Sequence, residues 1–369
     1  MAIKVWDYLK EYENEKQEIL AAIEKVLNSG CLILGDSVRN FEVAFSGYCG
    51  ARFGVGVNSG TDALFLGLRA LCIGAGDEVI TVANTAVPTV SAIVSTGATP
   101  RFVDIDPATY LMDTTLLEKT ITSKTKCILP VHLYGQCVNM NRVSKIASAY
   151  GLKVIEDCAQ SHGASFSGRK AGSMSDLAAF SFYPTKVLGG FGDGGMIVTN
   201  DETLCERLRR LRYYGMDKTY YSEEHGYNSR LDELHAEILL RKLSHIDDYI
   251  ERRQEIARQY DQHLSGTSLS LPKTMPGNVH VYYLYVCRHP QRDKIISRLR
   301  EKDIFLNVSY PWPIHTMRAY QHLGYKTGDL PHAEKAANGI FSLPMYPSLT
   351  DHEQGIVIAA LQEILKEIE

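Results

Sequence analysis

The chain has 369 residues, 45% of them hydrophobic and 22% charged, which is long enough to bury a large core and balanced like a globular protein, not a disordered or fibrous one. Its 39 basic and 43 acidic residues are interspersed and leave a net charge of -4, which argues against nucleic acid as a partner; the short run from Arg207 to Arg212 reads as a solvated helix face. Eight scattered cysteines with no CxxC pair and no metal-ligand spacing read as reduced small hydrophobes, no apolar run reaches the roughly 18 residues of a membrane span, and the charged amino terminus lacks a signal-peptide pattern, so neither metal nor membrane is expected and the cytoplasm is the expected location.

In chain order, periodicity predicts helices over Tyr8 to Asn28 and Ser37 to Tyr48. Short β-rich runs follow at Phe53 to Val57, Glu78 to Val82, Arg101 to Ile105, Cys127 to Val131 and Lys153 to Asp157, separated by helix-like segments. Strand and helix alternating at this spacing predict an α/β fold with a mainly parallel sheet and helices on both faces. Leu177 to Phe182 and Gly195 to Asn200 read as two more strands of that sheet, joined by a glycine-rich turn. Helical segments at Asp201 to Tyr213 and Leu231 to Leu243 lead to a charged amphipathic helix at Ser244 to Leu264, the expected bridge between a large unit, residues 1–245, and a linker helix with a small carboxy-terminal α/β unit, residues 246–369. The small unit is built from Val281 to Arg288, a helix near Asp293 to Lys302, Ile304 to Ser309 and a last helix from Asp351.

Three features carry chemistry. Lys186 stands in SFYPTKVLGGFGDGG, where an apolar run enters a turn whose glycines allow close backbone approach. Asp157 closes the run KVIED, at the strand end where open α/β sheets bind ligands. Ser59, Gly60 and Thr61 form a small-residue turn that opens a helix, a natural anion cradle. Each also has a plain reading, as a surface lysine, a turn cap and an ordinary helix start. Together they supply what pyridoxal phosphate (PLP) requires: a lysine for a Schiff base, an acid facing the pyridine nitrogen and a phosphate cup. Gly190, Gly192 and Gly195 have GxGxxG spacing, but a strand follows them where a dinucleotide fingerprint would open a helix.

SGTDAL, GDEVITVANTAVPTV, PVHLYGQ, IEDCAQSHGA, SFYPTKVLGGFGDGG and GYNSRLDELHA, in this order from about Leu32 onward, together resemble the DegT/DnrJ/EryC1/StrS family of sugar aminotransferases. The resemblance implies fold type I of the PLP enzymes (aspartate aminotransferase-like), a homodimer with shared active sites, and L-glutamate as amino donor. It assigns Lys186 to the Schiff base and to proton movement, Asp157 to the pyridinium, and Gln160 to the ring hydroxyl. Ser181 with the backbone of Gly60 and Thr61 is assigned to the phosphate, which Asn228 reaches from the neighbouring subunit. His162 is the candidate for a second catalytic group, and His132, Tyr183, Tyr310 and His315 are candidates for contacting the substrate. Where family members often stack an aromatic ring on the cofactor, this chain has Ala86.

The implied reaction moves an amino group to a nucleotide-linked keto sugar, and YYLYV and SYPWPIH are similar to segments of enzymes that aminate C3 of dTDP-3-keto-6-deoxyhexoses. Amination at C4 of a GDP- or UDP-linked 4-keto sugar, PLP-dependent sugar dehydration and a non-catalytic PLP-binding regulator are the alternatives. Family members that remove a sugar hydroxyl carry histidine at the lysine position, so Lys186 favours amine transfer.

Overall fold

The computed structural model describes residues 2–368. A seven-stranded sheet organises the larger part of the chain: β1 (Phe53–Val57), β2 (Glu78–Val82), β3 (Thr99–Val103), β4 (Thr125–Ile128), β5 (Lys153–Asp157), β6 (Leu177–Ser181) and β7 (Gly195–Thr199). Their order across the sheet is β1-β7-β6-β5-β4-β2-β3, and only β7 runs against its neighbours. The strands are rich in Val and Ile and buried along nearly their whole length, as expected of a sheet covered on both faces. Because β1, β2, β4, β5 and β6 run the same way, their carboxyl ends emerge along one edge, where open α/β sheets form their ligand crevice.

The helices are α1 (Tyr8–Ser29), α2 (Asp36–Cys49), α3 (Gly60–Ala70), α4 (Val87–Ser95), α5 (Met140–Tyr150), α6 (Glu202–Leu211), α7 (Glu233–Leu243) and α8 (Ile246–Leu264). Local chemistry fixes several ends: Asp7 accepts from Leu9 N–H (3.2 Å) to cap α1, Gly30 closes it with a left-handed φ of 68°, and Pro88 occupies the first turn of α4. Helix α8 threads two hydrophobic clusters. Its Ile246 and Ile250 pack in the large core with the sheet, while Ile256, Ala257, Tyr260 and Leu264 pack in a second core. That second core also takes α9 (Arg292–Glu301), α11 (Asp351–Ile368) and the antiparallel pair β8 (Tyr285–Arg288) with β9 (Ile340–Leu343); α10 (Pro331–Ala337) lies before β9.

Three details differ from the sequence reading. Ile3 packs in the second core and pairs with Ile304, so the first residues, assigned to the large unit, lie with the carboxy-terminal part. Ile304 to Ser309, read as part of a regular unit, contributes only isolated pairings at Ile304 and Asn307. The partner of β8 is instead Ile340–Leu343, a four-residue apolar run too short to be told from a helix end by periodicity. Gly195–Thr199 is a strand, as expected, so the GxGxxG spacing opens no helix.

Candidate active site

At the common carboxyl edge lies a cleft lined by Ser59, Gly60, Thr61, Ala86, Thr89, Asp157, Ala159, Gln160, Ser181, Tyr183, Thr185, Lys186, Asp193, Tyr283, Asn307 and Tyr310, among others. Residues far apart in sequence meet there because each follows a strand of the sheet or belongs to the segment that crosses its edge.

Asp157, the last residue of β5, is only 4% exposed. One oxygen accepts from Thr89 Oγ1 (2.8 Å) and the other from the Ala159 N–H (3.1 Å). Thr89 is itself bonded to Thr85 (2.9 Å), which leaves its proton directed at the carboxylate. Burial nevertheless pushes the Asp157 carboxyl above its usual range, against the pull of Thr89, Ala159 and Lys186. A buried acid in this condition fits a cation placed against it, such as a protonated pyridine nitrogen.

The anion cradle forms where β1 turns into α3. Ser59 accepts from Asp62 N–H (3.1 Å), which leaves the Gly60 and Thr61 N–H groups as first-turn donors with no intrahelical acceptor. Ser181, at the end of β6, stands against Gly60 so closely that a Cβ at Gly60 would lie 2.6 Å from the Ser181 Cβ. Glycine there lets a hydroxyl and two N–H groups converge on one point. These donors, Asp157 and Lys186 together fit a cofactor with a phosphate at one end and a basic ring nitrogen at the other.

Lys186 sits in a turn folded tightly on itself, with Lys186 N–H donating to Tyr183 O (2.9 Å) and Gly190 N–H to Phe182 O (2.8 Å). A Cβ at Gly189 would lie 2.2 Å from the Pro184 carbonyl oxygen, so this glycine lets the turn close on its own backbone. The Lys186 Nζ lies 4.7 Å from the centroid of the Tyr283 ring. Gln160 lines the cleft, but its amide already accepts from Tyr134 N–H (2.8 Å) and donates to the Tyr310 hydroxyl (2.8 Å), so it also orients its neighbours. Ala86 is the N-cap residue of α4 and lines the cleft. Tyr183, 52% exposed, stands at the mouth, and Tyr310 within.

Three histidines proposed for direct roles do not face the cleft. His162 is fully buried against Phe45, Phe180 and Phe182, at centroid distances of 6.1, 5.3 and 5.8 Å. No well-formed hydrogen bond reaches either ring nitrogen, and burial, more than the positive charge of Lys186, pushes its imidazole down to about 3 despite a weak backbone contact at Ser181. A neutral ring sealed among phenylalanines cannot meet a substrate, so His162 is a packing residue. His132 is also fully buried; its Nδ1 accepts from Val138 N–H (3.1 Å), which places the proton on Nε2, facing Glu156 (2.9 Å). His315, 1% exposed, bonds Glu334 (2.9 Å). Neither is among the residues that line the cleft. Asn228 is exposed and outside its own chain's cleft, beside Ser229, which bonds Asp62 of α3 (2.7 Å).

Residues that the sequence did not single out also enter the site: Thr85 and Thr89, which orient Asp157, and Tyr283 and Asn307 from the carboxy-terminal part. The threonines lie in ANTAVPTV, Thr85 just before Ala86, the N-cap of α4, and Thr89 in its first turn, so the chain's entry into the helix brings the two hydroxyls together.

Known proteins resemble this chain over nearly its whole length. A dTDP-3-amino-3,4,6-trideoxy-alpha-D-glucose transaminase of Micromonospora megalomicea subsp. nigra is 54% identical over 371 aligned residues, covering 99% of each chain. The crystal structure of S. venezuelae DesV in complex with a ketimine intermediate matches with a TM-score of 0.97 and 43% identity over 98% of both chains. NtdA from Bacillus subtilis, solved with bound cofactor PMP, matches with a TM-score of 0.89 and 33% identity over 96% of this chain and 82% of its own. With the family model matching residues 13–362, the chain belongs to the DegT/DnrJ/EryC1/StrS aminotransferase family.

Proposed function

We propose that this chain is a PLP-dependent aminotransferase that moves an amino group from L-glutamate to C3 of a dTDP-linked 3-keto-6-deoxyhexose. The observation that carries the cofactor is the single cleft in which Lys186, the buried acid Asp157 and the Gly60, Thr61 and Ser181 donors converge. The names of the similar transaminases support the sugar and its position.

Bound in this cleft, PLP supplies an electron sink through which an amino group leaves one carbon and joins another. The chain's residues do the rest. Asp157, steadied by Thr89 and Ala159, holds the ring nitrogen protonated. Gly60, Thr61 and Ser181 bind the phosphate, and Gln160 meets the ring hydroxyl. Lys186 Nζ first holds the cofactor and, once free, takes the proton from the donor's α-carbon and later returns one to the sugar carbon. Tyr183 and Tyr310, which line the cleft, meet the sugar nucleotide. Asn228 completes the phosphate site of a neighbouring subunit, so the working unit is a homodimer.

The test is incubation of the purified protein with glutamate and a panel of dTDP-, GDP- and UDP-linked 3-keto and 4-keto sugars, with products read by mass spectrometry and NMR. A 3-amino dTDP sugar formed with one equivalent of 2-oxoglutarate is the expected result. Amination at C4, or dehydration without 2-oxoglutarate, would overturn the assignment.

A further inference from the structure

Aminotransfer by this chain, as read above, requires Lys186 to do two jobs with one flexible side chain. It holds the cofactor, and when released it must stay close enough to move protons. A free lysine side chain has considerable rotamer freedom to lose, so something must hold the released amine in place.

Tyr283 touches the Lys186 turn twice. Its ring lies 4.7 Å from Lys186 Nζ, within the range at which an aromatic face attracts an ammonium group, and its hydroxyl is 3.1 Å from Thr185 Oγ1, on the residue before the lysine. The tyrosine is 9% exposed, and its own backbone is fixed by elements other than that turn. Arg253 of α8, 2% exposed, donates from Nη1 to the carbonyls of Tyr282 (3.3 Å), Tyr283 (3.3 Å) and Met345 (2.8 Å). On the other side, Val281 N–H donates to Gly135 O (2.9 Å) and Leu284 N–H to Tyr134 O (3.3 Å). A Cβ at Gly135, where φ is 108°, would lie 2.8 Å from Tyr283 N, so the segment is pressed against this glycine.

We propose that Tyr283 is the positioning residue for Lys186: its ring face holds the freed lysine side chain within the cleft while it carries a proton, and its hydroxyl latches the lysine turn through Thr185. The inference rests on Lys186 being the cofactor lysine. It gives Tyr283, which lines the cleft with Asn307 and Tyr310 of the carboxy-terminal part, a role at the lysine. The ring supplies the attraction and the hydroxyl fixes the turn, so the two contributions are separable.

The test uses the full-length chain freed of cofactor and treated with trinitrobenzenesulfonate, with modification of Lys186 relative to exposed Lys124 read by peptide mass spectrometry. In Tyr283→Leu the Lys186 labelling ratio should rise about five-fold, the size expected when an aromatic–ammonium contact is lost. Tyr283→Phe and Thr185→Val, which keep the ring, should stay within about two-fold of wild type. In the loaded enzyme Tyr283→Leu should lower kcat with KM for the amino donor unchanged, and Tyr283→Phe should recover most of the loss. Trifluorophenylalanine introduced at position 283 keeps the shape but weakens the negative ring face, so its labelling should exceed that of Tyr283→Phe. Should the leucine variant not fold, this pair decides alone. Wild-type labelling in Tyr283→Leu, or no difference between phenylalanine and its fluorinated form, would overturn the proposal. Failure of the underlying reading shows separately, as an absence of PLP mass on Lys186 after borohydride reduction of the wild type.

Discussion

Lys186 and Asp157 divide the work at the residue scale, one by covalent attachment and the other by charge. Lys186→Ala should remove the visible absorbance of the lysine-bound cofactor and slow turnover on the order of a thousand-fold or more; turnover near the wild-type rate would contradict the assignment. Asp157 yields a prediction whose sign depends on whether a cation is present. Burial raises its folded-state value above the ordinary 3.8, so its contribution to stability is complete below that value and is lost as pH rises through the folded one. In the cofactor-free chain, Asp157→Asn should therefore raise the melting temperature at pH 8 and change it little at pH 3. Added PLP should reverse the order at pH 8, because only the carboxylate gains from the ring cation. His162 behaves in the opposite sense. With its imidazole held down to about 3 against an ordinary 6.5, it stabilises the fold above 6.5, a contribution lost as pH falls from there toward 3. His162→Phe should shift acid unfolding to lower pH while turnover at pH 8 stays within about three-fold, since the ring packs among phenylalanines and meets no ligand.

At the scale of elements, the site depends on how closely the first turn of α3 approaches the end of β6. Gly60→Ala places a Cβ 2.6 Å from that of Ser181, and neither backbone can yield without moving the sheet or the helix. Loss of about 1–3 kcal/mol of stability is expected, with PLP affinity weakened about ten-fold or more, measured by thermal melting and by cofactor titration. A variant that bound PLP normally would mean that the cradle tolerates a wider gap. The glycines after Lys186 illustrate a related point. Their sequence suggested room for a ligand, whereas Gly189 makes room for the Pro184 carbonyl and Gly190 for the His235 ring, whose Nε2 accepts from Phe191 N–H (2.8 Å). The turn is shaped by contacts within the protein.

For the whole molecule, the proposed homodimer requires a face that a second subunit covers. Among the described residues no helix is long and apolar enough to cross a membrane, and the exposed Tyr213, Tyr214, Tyr220 and Tyr221 cluster around the antiparallel pair Met216–Lys218 and Tyr221–Ser222 that precedes Asn228, as expected of a face that meets another protein chain. If Asn228 serves a neighbouring site, mixing Lys186→Ala chains with Asn228→Ala chains should give heterodimers with one intact site and about half of the wild-type activity per dimer when the two defects fall in the same site. Activity near zero in purified heterodimers would mean that each chain supplies its own Asn228.

The sequence alone indicated the seven strands of the large sheet, since buried strands covered on both faces must be apolar and β-branched, and it singled out Lys186, Asp157 and Gly60, which line one cleft, as candidates for what PLP chemistry needs: an amine, an acid at a strand end and a residue without a side chain. It also placed the long helix before Leu264 that threads both cores. It misjudged His132, His162 and His315, because a histidine's role follows from what surrounds it. An imidazole bonded to Glu156, or sealed among phenylalanines, looks in sequence like one that faces a ligand. Tyr283 was silent for the same reason. Its partners Lys186, Thr185, Arg253 and Gly135 lie far from it in the chain, and only the packing of the carboxy-terminal part against the sheet edge brings its ring to the lysine. That placement is a property of the folded molecule, which no local pattern encodes.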